Sequence, residues 1–479
     1  MKKWLMWVVI LALCTVPRIG FSSGKQEQPA VVLPVEKVVT EQIQQGKRLH
    51  RTVSFPNTDT YWMERIEFSH NQPSAYIRTL TIPGQSGTVR YVKHNRLDGK
   101  TLSRTWETAP LGDSLPTTYV FIDTDQMHLL LSFPEVYRKG MRNTLEEKPN
   151  PLPVRVKKVK NGYELAIAFP QSKGTVGEVW ALQSSEPLVD WSNATLERVW
   201  SLLDVHDEQK WSWDGFYVKT PSTYEPYSPK LYWRLPANYV AESFINTGGS
   251  RAAADLGWVM LNTILPNQNQ YGFWETQPAS KWLKDLYGLQ AGFYDTRFNT
   301  DMGLLLLKGY RKYHDPRFLE ASQRYAQFLL GHISKNHFVV KGEQEGWLVE
   351  DYAHPTQKHR RTHSSLNHQL QEIKFLLEMY AETKQSSFHD HAMKLLFGVK
   401  NTTAKWKKAD NDLHYAYLPN GRMGLADYPF LTYNDLWQTQ RLLVRLYGQS
   451  DQDLTALMES KKMYMDARSI TGYIALPLP

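Results

Sequence analysis

The sequence predicts an α+β, multidomain protein: an N-terminal antiparallel β-sandwich or barrel-like region, then an (α/α) toroid-like helical domain. Three observations carry this reading. Residues 51–188 hold short β-branched and aromatic runs between turn residues. From about Tyr239 onward, apolar residues recur at helical spacing. Within that second half a helix–turn–helix pattern repeats, anchored by Tyr310, Tyr380 and Tyr447, which lie 70 and 67 residues apart.

Taken in order, residues 1–23 read as a signal peptide. Lys2 and Lys3 form a basic start, Trp4–Val16 an apolar stretch of 13 residues, and Gly20, Ser22 and Ser23 supply small residues beyond it. The apolar run is short for a spanning helix, so a membrane is expected as a partner only if the signal stays uncleaved. Cys14 is the single cysteine, and removal of the signal leaves a chain without disulfides or a thiol nucleophile. These features suit a secreted or cell-envelope protein. Residues 24–50 read as a polar linker with one short helix near Val39–Gln45.

In the β-rich domain, 51–188, the sharpest local pattern is Val154–Phe169, where Asn161-Gly162 fits a two-residue hairpin turn. No convergent set of titratable residues appears there, so this domain is expected to support the second and do no chemistry. Residues 189–238 form a connector, with a helix capped by Asn193 and a Pro- and Tyr-rich stretch. Residues 239–479 form the helical domain, whose long inserts, Phe338–Ser365 and Leu413–Thr432, should project at one face.

The net charge of +8, from 56 basic and 48 acidic residues, falls to +5 if Lys2, Lys3 and Arg18 are removed. That balance admits an anionic polymer as partner, although scattered surface lysines explain it more simply. No basic helix with interleaved aromatics points to nucleic acid. The 60 aromatic residues (16 Trp, 26 Tyr, 18 Phe) suit both a large core and sugar-stacking surfaces. His389 and His391, two apart, point different ways on a helix. The segment Asp410–His414 lacks the glycine and distal glutamate of an EF-hand loop. No metal or cofactor is therefore assigned.

The inserts read "EGWLVEDYAHP" and "LHYAYLPNGRMGLADYPFLTYNDL". Over Tyr239–Tyr464 the chain resembles the C-terminal helical domain of D-glucuronyl C5-epimerases. "VEDYAHP" lies over that family's acidic-acidic-Tyr-Pro segment. "DYPFLTYNDL" lies over its Asp-Tyr-His-Thr-Thr-His-x-Asn-Gln-Leu segment, and Tyr415 matches its middle tyrosine. The chain departs from the pattern in having Asp351 in place of Glu, and Pro429 and Thr432 in place of two histidines. The resemblance implies C5 epimerisation of a uronic-acid-containing polysaccharide. Tyr352, Asp351, Glu350, Tyr415 and Tyr428 would be catalytic, and Arg360, Arg361, His363, Asn367, Arg422, Asp427 and Asn434 would bind substrate. The chemistry fits, because a C5 proton beside a carboxylate needs a base, an acid and cations for the developing charge. A polysaccharide lyase, a glycoside hydrolase and a non-catalytic glycan-binding protein stay open as alternatives. So does the plain reading in which Tyr352 and Tyr428 are loop tyrosines at helix ends.

Overall fold

The computed structural model describes residues 32–96, 102–148, 152–203 and 209–477. The expected signal peptide lies outside them. The segment expected as a linker is, from Val35, a strand pair: β1 (Val35–Ile43) and β2 (Gly46–Ser54) form a hairpin, and β3 (Thr60–Phe68) continues it. The helix expected near Val39–Gln45 is thus strand and turn, because Val38, Val39 and Ile43 favour the pleated backbone of a sheet edge.

The following strands are β4 (Gln72–Pro83), β5 (Gly87–Arg96), β6 (Leu102–Pro110), β7 (Val120–Thr124), β8 (His128–Leu131), β9 (Glu135–Lys139) and β10 (Thr144–Glu147). They continue with β11 (Arg155–Val159), β12 (Gly162–Gln171), β13 (Val176–Ser184), β14 (Gln209–Ser212), β15 (Gly215–Lys219), β16 (Tyr224–Glu225) and β17 (Leu231–Arg234). The large sheet runs β14-β15-β17-β10-β9-β13-β8-β7-β5-β6, and β13 carries β3, β2 and β1 on its other edge. Among the described residues no pairing closes it into a barrel. The expected connector contributes β14, β15 and β17, so the sheet does not stop at residue 188.

Alternation along the strands builds two cores, because successive side chains leave opposite faces. Val179 and Ala181 of β13 pack with Leu165 and Ile167 under the small sheet β11-β12-β4. Trp180 and Leu182 turn to the other face and join the helices. The β11–β12 turn is Lys160-Asn161, one residue before the expected Asn161-Gly162. Glycine is still required at 162, since a Cβ there would lie 2.1 Å from the Ile82 carbonyl oxygen of β4.

The helices are α1 (Thr195–Trp200), α2 (Tyr239–Thr247), α3 (Arg251–Ile264), α4 (Lys281–Tyr287), α5 (Thr296–Tyr313) and α6 (Pro316–Lys335). They continue with α7 (Leu366–Thr383), α8 (Ser386–Lys400), α9 (Thr403–Trp406), α10 (Leu431–Tyr447) and α11 (Gln452–Ala467). Four hairpins result: α2–α3, α5–α6, α7–α8 and α10–α11. Within them α2, α5, α7 and α10 pack side by side as the inner row, all running the same way. One apolar core spans these helices and the inner face of the sheet, and Leu33–Pro479 is one compact unit. The boundary expected between two domains is therefore a packed interface.

The repeat tyrosines are equivalent in two hairpins of three. The left-handed residues His314 and Lys384 end α5 and α7, and their N–H groups donate to the carbonyls of Tyr310 and Tyr380. At α10 that acceptor is Val444, and Tyr447 lies three residues further on. The loop that follows is longer there, which made the tyrosine spacing look more regular than the hairpins are.

The inserts add short strands: β18 (Ala279–Ser280), β19 (Tyr294–Asp295), β20 (His337–Val340), β21 (Gly346–Val349), β22 (Tyr352–Ala353), β23 (Ser364–Ser365), β24 (His414–Tyr417) and β25 (Met423–Ala426). Strand β21 lies directly on α8 through paired glycines: a Cβ on Gly398 would sit 2.1 Å from the Trp347 carbonyl oxygen. Backbone cannot yield as a side chain can, so Gly398→Ala should cost about 1–3 kcal/mol by denaturant unfolding. Gly331→Ala, in the interior of α6 with nothing within 4 Å, should instead gain about 0.5–1 kcal/mol. Equal effects at both positions would contradict the close β21–α8 packing.

Candidate active site

The N-terminal ends of the four inner helices open into a cleft of about 790 Å³. Each helix brings a residue of its first turn: Tyr239 from α2, Arg297 from α5, Asn367 and His368 from α7, Leu431 from α10. The inserts supply Tyr352, Tyr415 and Tyr428, and the connector supplies Tyr224. Tyr224 is stacked on Trp233, with ring centres 5.5 Å apart.

Asp295 is the one carboxylate lining this cleft. It caps α5, accepting the Phe298 N–H at 3.1 Å, and stands opposite Tyr352 where β19 pairs with β22. Burial, with the nearby Asp351 charge, pushes its carboxyl up to about 7 against the backbone hydrogen bonds of the cap. His368 presents its ring to the cleft while its Nδ1 shares a 2.7 Å hydrogen bond with the Thr296 hydroxyl. Burial takes the imidazole down to about 4, against the pull of Asp351, so it is neutral at pH 7. Arg297 is held by two oxygens of Asp435, at 2.6 and 3.2 Å, and by Asp301 at 3.0 Å. Its charge is already more than matched by those two carboxylates.

Tyr352 lies at the cleft wall with its ring packed edge-on to Phe293, His363 and His368. Its backbone N–H donates to the Thr362 hydroxyl and its carbonyl accepts from it, yet among the described residues nothing hydrogen-bonds the phenol itself. Tyr415 meets Tyr428 edge-to-face at 5.7 Å. Burial raises the phenol of each of these three tyrosines above its ordinary value, so all three are hydrogen-bond donors near neutrality.

The other expected site residues lie elsewhere. Asp351 is 1% exposed and sits behind the wall. Its carboxylate accepts from Ser365 N–H at 2.8 Å and Ser365 Oγ at 2.6 Å and faces His363 and His368 at 3.3 and 3.7 Å. Burial alone would raise it, but the two histidines and Ser365 hold it below the usual carboxylate range. His363 is fully buried and shares a 2.8 Å hydrogen bond with the Tyr287 hydroxyl. Glu350 is paired with Arg361 at 2.6 Å and with the Thr362 N–H at 2.8 Å. Arg361 also covers Phe338, and Arg360 donates to the Asp285 carbonyl on the exposed side. Arg422 is exposed and does not line the cleft. Asp427 is neutralised by Lys461 at 2.7 Å and accepts from Thr432. Asn434 accepts the Ile474 N–H and ties down the C-terminal tail. Arg360, Arg361 and His363, expected to bind substrate, thus fasten the insert to itself and to α4. Asp295, Arg297, His368, Tyr224 and Tyr239 were not singled out from the sequence. Asp295 is also the N-cap of α5, a position that asks for the same residue type whatever else the side chain does.

No protein-family model matches the sequence, and no curated protein does. Among solved structures, a D-mannose isomerase is 15% identical, covering 48% of this chain and 59% of that one, with a TM-score of 0.35. A family 76 glycoside hydrolase from a bovine Bacteroides thetaiotaomicron strain is 12% identical, covering 91% and 78%, at 0.39. A cellobiose 2-epimerase from Bacillus thermoamylovorans is 11% identical, covering 48% and 57%, at 0.37. Likenesses this loose decide neither fold nor function.

Because the Tyr352 phenol has no protein partner to lose, Tyr352→Phe should change unfolding free energy by less than about 0.5 kcal/mol. Asp351→Asn strips buried, charge-assisted bonds and should cost about 2–4 kcal/mol. Denaturant titration of both checks the division between a facing residue and a supporting one; the reverse ranking would contradict it.

Proposed function

We propose that the chain is a carbohydrate-active enzyme that moves a proton on a bound sugar within this cleft. The observation that carries this is the grouping on one wall of a carboxyl poised near neutrality, a neutral imidazole and a phenol without a hydrogen-bond partner among the described residues, in a cleft that also presents the rings of Tyr224, Trp282, Tyr415 and Tyr428. Flat rings suit the apolar face of a pyranose. Asp295 would take and return the proton, since a carboxyl raised to about 7 can both accept and give up a proton near neutrality. The neutral His368 and the Tyr352 phenol would donate hydrogen bonds to the oxygen on which negative charge develops. A glycoside hydrolase is less well supported, because it needs two opposed carboxylates and the cleft wall carries one.

The charge balance favours an uncharged substrate. Asp295 and Asp351 already stand at the starts of α5 and α7, where helix dipoles would otherwise draw an anion. Arg297 is the cleft's one guanidinium and is neutralised. In a neutral sugar the acidic C–H lies beside the carbonyl of the open chain. The reading is therefore proton transfer at that carbon of a reducing sugar, as in 2-epimerisation or aldose–ketose isomerisation. C5 epimerisation of a uronate is the second reading; the convergence of Tyr352, Tyr415 and Tyr428 favours it, and the lack of a free cation in the cleft among the described residues weighs against it. The basic start and apolar run at residues 2–16 support export.

Incubation in D₂O with neutral reducing disaccharides and with a uronic-acid polymer separates the readings. Deuterium at C2 of the neutral sugar, or at C1 of a ketose product, is expected. Deuterium at C5 of the uronate would establish the second reading, unsaturated ends a lyase, new reducing ends alone a hydrolase, and binding without exchange a glycan-binding protein.

Asp295→Asn keeps a capping side chain but loses the titrating proton. Turnover should fall about 10²–10⁴-fold. A carboxyl that keeps its proton longer when folded favours folding at low pH. That contribution is complete below the ordinary 3.8 and is lost as pH rises to about 7. The variant, lacking it, should therefore gain stability relative to the wild type between pH 4 and pH 8. A stability difference flat across that range would contradict the assignment.

A further inference from the structure

The inner helices line a second cavity, of about 650 Å³, further along from the cleft, from the level of Lys374 and Gln438 to the last turns that carry Arg311 and Arg445. Its volume lies within the span of about 300–1,000 Å³ usual for small-molecule sites. Five cations line it, Lys308, Arg311, Lys374, Arg441 and Arg445, against two carboxylates, Glu242 and Glu378.

Basic side chains near helix C-termini often do no more than offset the dipole, and three of the five are accounted for in that way or by ion pairs. Lys308 pairs with Glu242 at 2.9 Å, Arg311 with Glu378 at 2.8 Å and Glu382 at 2.7 Å, and Arg445 with Glu378 at 2.6 Å. The remaining two lack a carboxylate partner among the described residues. Lys374 donates to the neutral Gln438 amide at 2.6 Å, and Arg441 lies over the Trp437 ring, 5.6 Å from its centre. Gln438, Arg441 and Trp437 share one face of α10, and Lys374 reaches them from α7. Burial depresses the Lys374 ammonium to about 8, with Arg297 and Lys308 adding to the effect and Asp435 and Asp301 opposing it. The cavity thus holds a lysine short of counter-charge, a second unpaired cation and a flat apolar ring.

We propose that this cavity is a second binding site, for a sugar-sized molecule carrying a carboxylate or phosphate, held by Lys374 and Arg441 beside Trp437. The anion supplies the missing counter-charge, and the ring gives the rest of the molecule a surface to lie on. The site is separate from the cleft: a layer of Arg297, Asp301, Gln371 and Asp435 stands between them across the inner helices.

Calorimetric titration of the whole protein with glucose 6-phosphate, glucuronate, inorganic phosphate and glucose tests this. At least one sugar anion is expected to bind, with inorganic phosphate and glucose at least tenfold weaker. Lys374→Met and Arg441→Gln should each weaken the sugar anion at least tenfold, while Asp295→Asn, in the cleft, leaves its affinity unchanged. Arg441 is exposed, so its variant carries the test should Lys374→Met not fold. Failure of both sugar anions to bind at about 10 mM, equal binding of glucose or phosphate, or insensitivity to the Arg441 variant would overturn the proposal. These outcomes refer to the site that Arg441→Gln weakens; glucose or glucuronate bound in the cleft is told apart by its sensitivity to Asp295→Asn and its indifference to Arg441→Gln.

Discussion

Asp351 is the joint on which the cleft depends. Its carboxylate takes the N–H and hydroxyl of Ser365, just before α7, and faces both His363 and His368. Its own carbonyl accepts the N–H of Thr296, the first residue of α5, and its N–H donates to the His363 carbonyl. One residue therefore fixes the starts of two neighbouring inner helices and the strand that carries Tyr352. A buried carboxylate is costly unless every oxygen is matched, and here the matching groups are the same ones that orient the cleft. The residue set that lines the cleft gains its precision from this buried bonding.

The parallel run of the inner helices sets the polarity of both cavities. At the N-terminal end, orphan N–H groups and dipoles favour negative charge, and the chain supplies its own in Asp295 and Asp351. That choice leaves the cleft aromatic and short of free cations. At the other end the same helices favour cations, and the chain supplies more than its carboxylates balance. The polar layer of Arg297, Asp301, Gln371 and Asp435 between them is buried and paired, which fits a fixed partition rather than a channel.

Much of the architecture was legible because it rests on local periodicity. Strand alternation, as in Val154–Phe169, and helical hairpins, as in Leu304–Leu330, need only neighbours to be recognised. That the β-rich and helical parts share one core was not legible, because Trp180 and Leu182 look alike whether they face another sheet or a helix. Of the expected site residues, Tyr352, Tyr415, Tyr428 and Asn367 reach the cleft. The arginines do not, because a basic loop gripping Glu350 and backbone carbonyls has the same composition as one gripping substrate. Asp295 escaped notice for the opposite reason: a helix cap and a proton-transfer group ask for the same residue, and only burial among tyrosines separates them. The Asn161-Gly162 turn was off by one residue because the glycine is demanded by the approach of β4, which no local pattern announces.

The account stands on a sugar lying in the cleft against Asp295. A crystal structure of the Asp295→Asn variant soaked with a neutral reducing disaccharide tests it most directly. The account predicts a sugar ring between Tyr352 and Tyr428, with an open-chain or anomeric carbon oxygen within hydrogen-bond reach, about 3 Å, of His368 or the Tyr352 phenol. A disaccharide bound elsewhere, or oriented with its reducing end pointing out of the cleft, would contradict it.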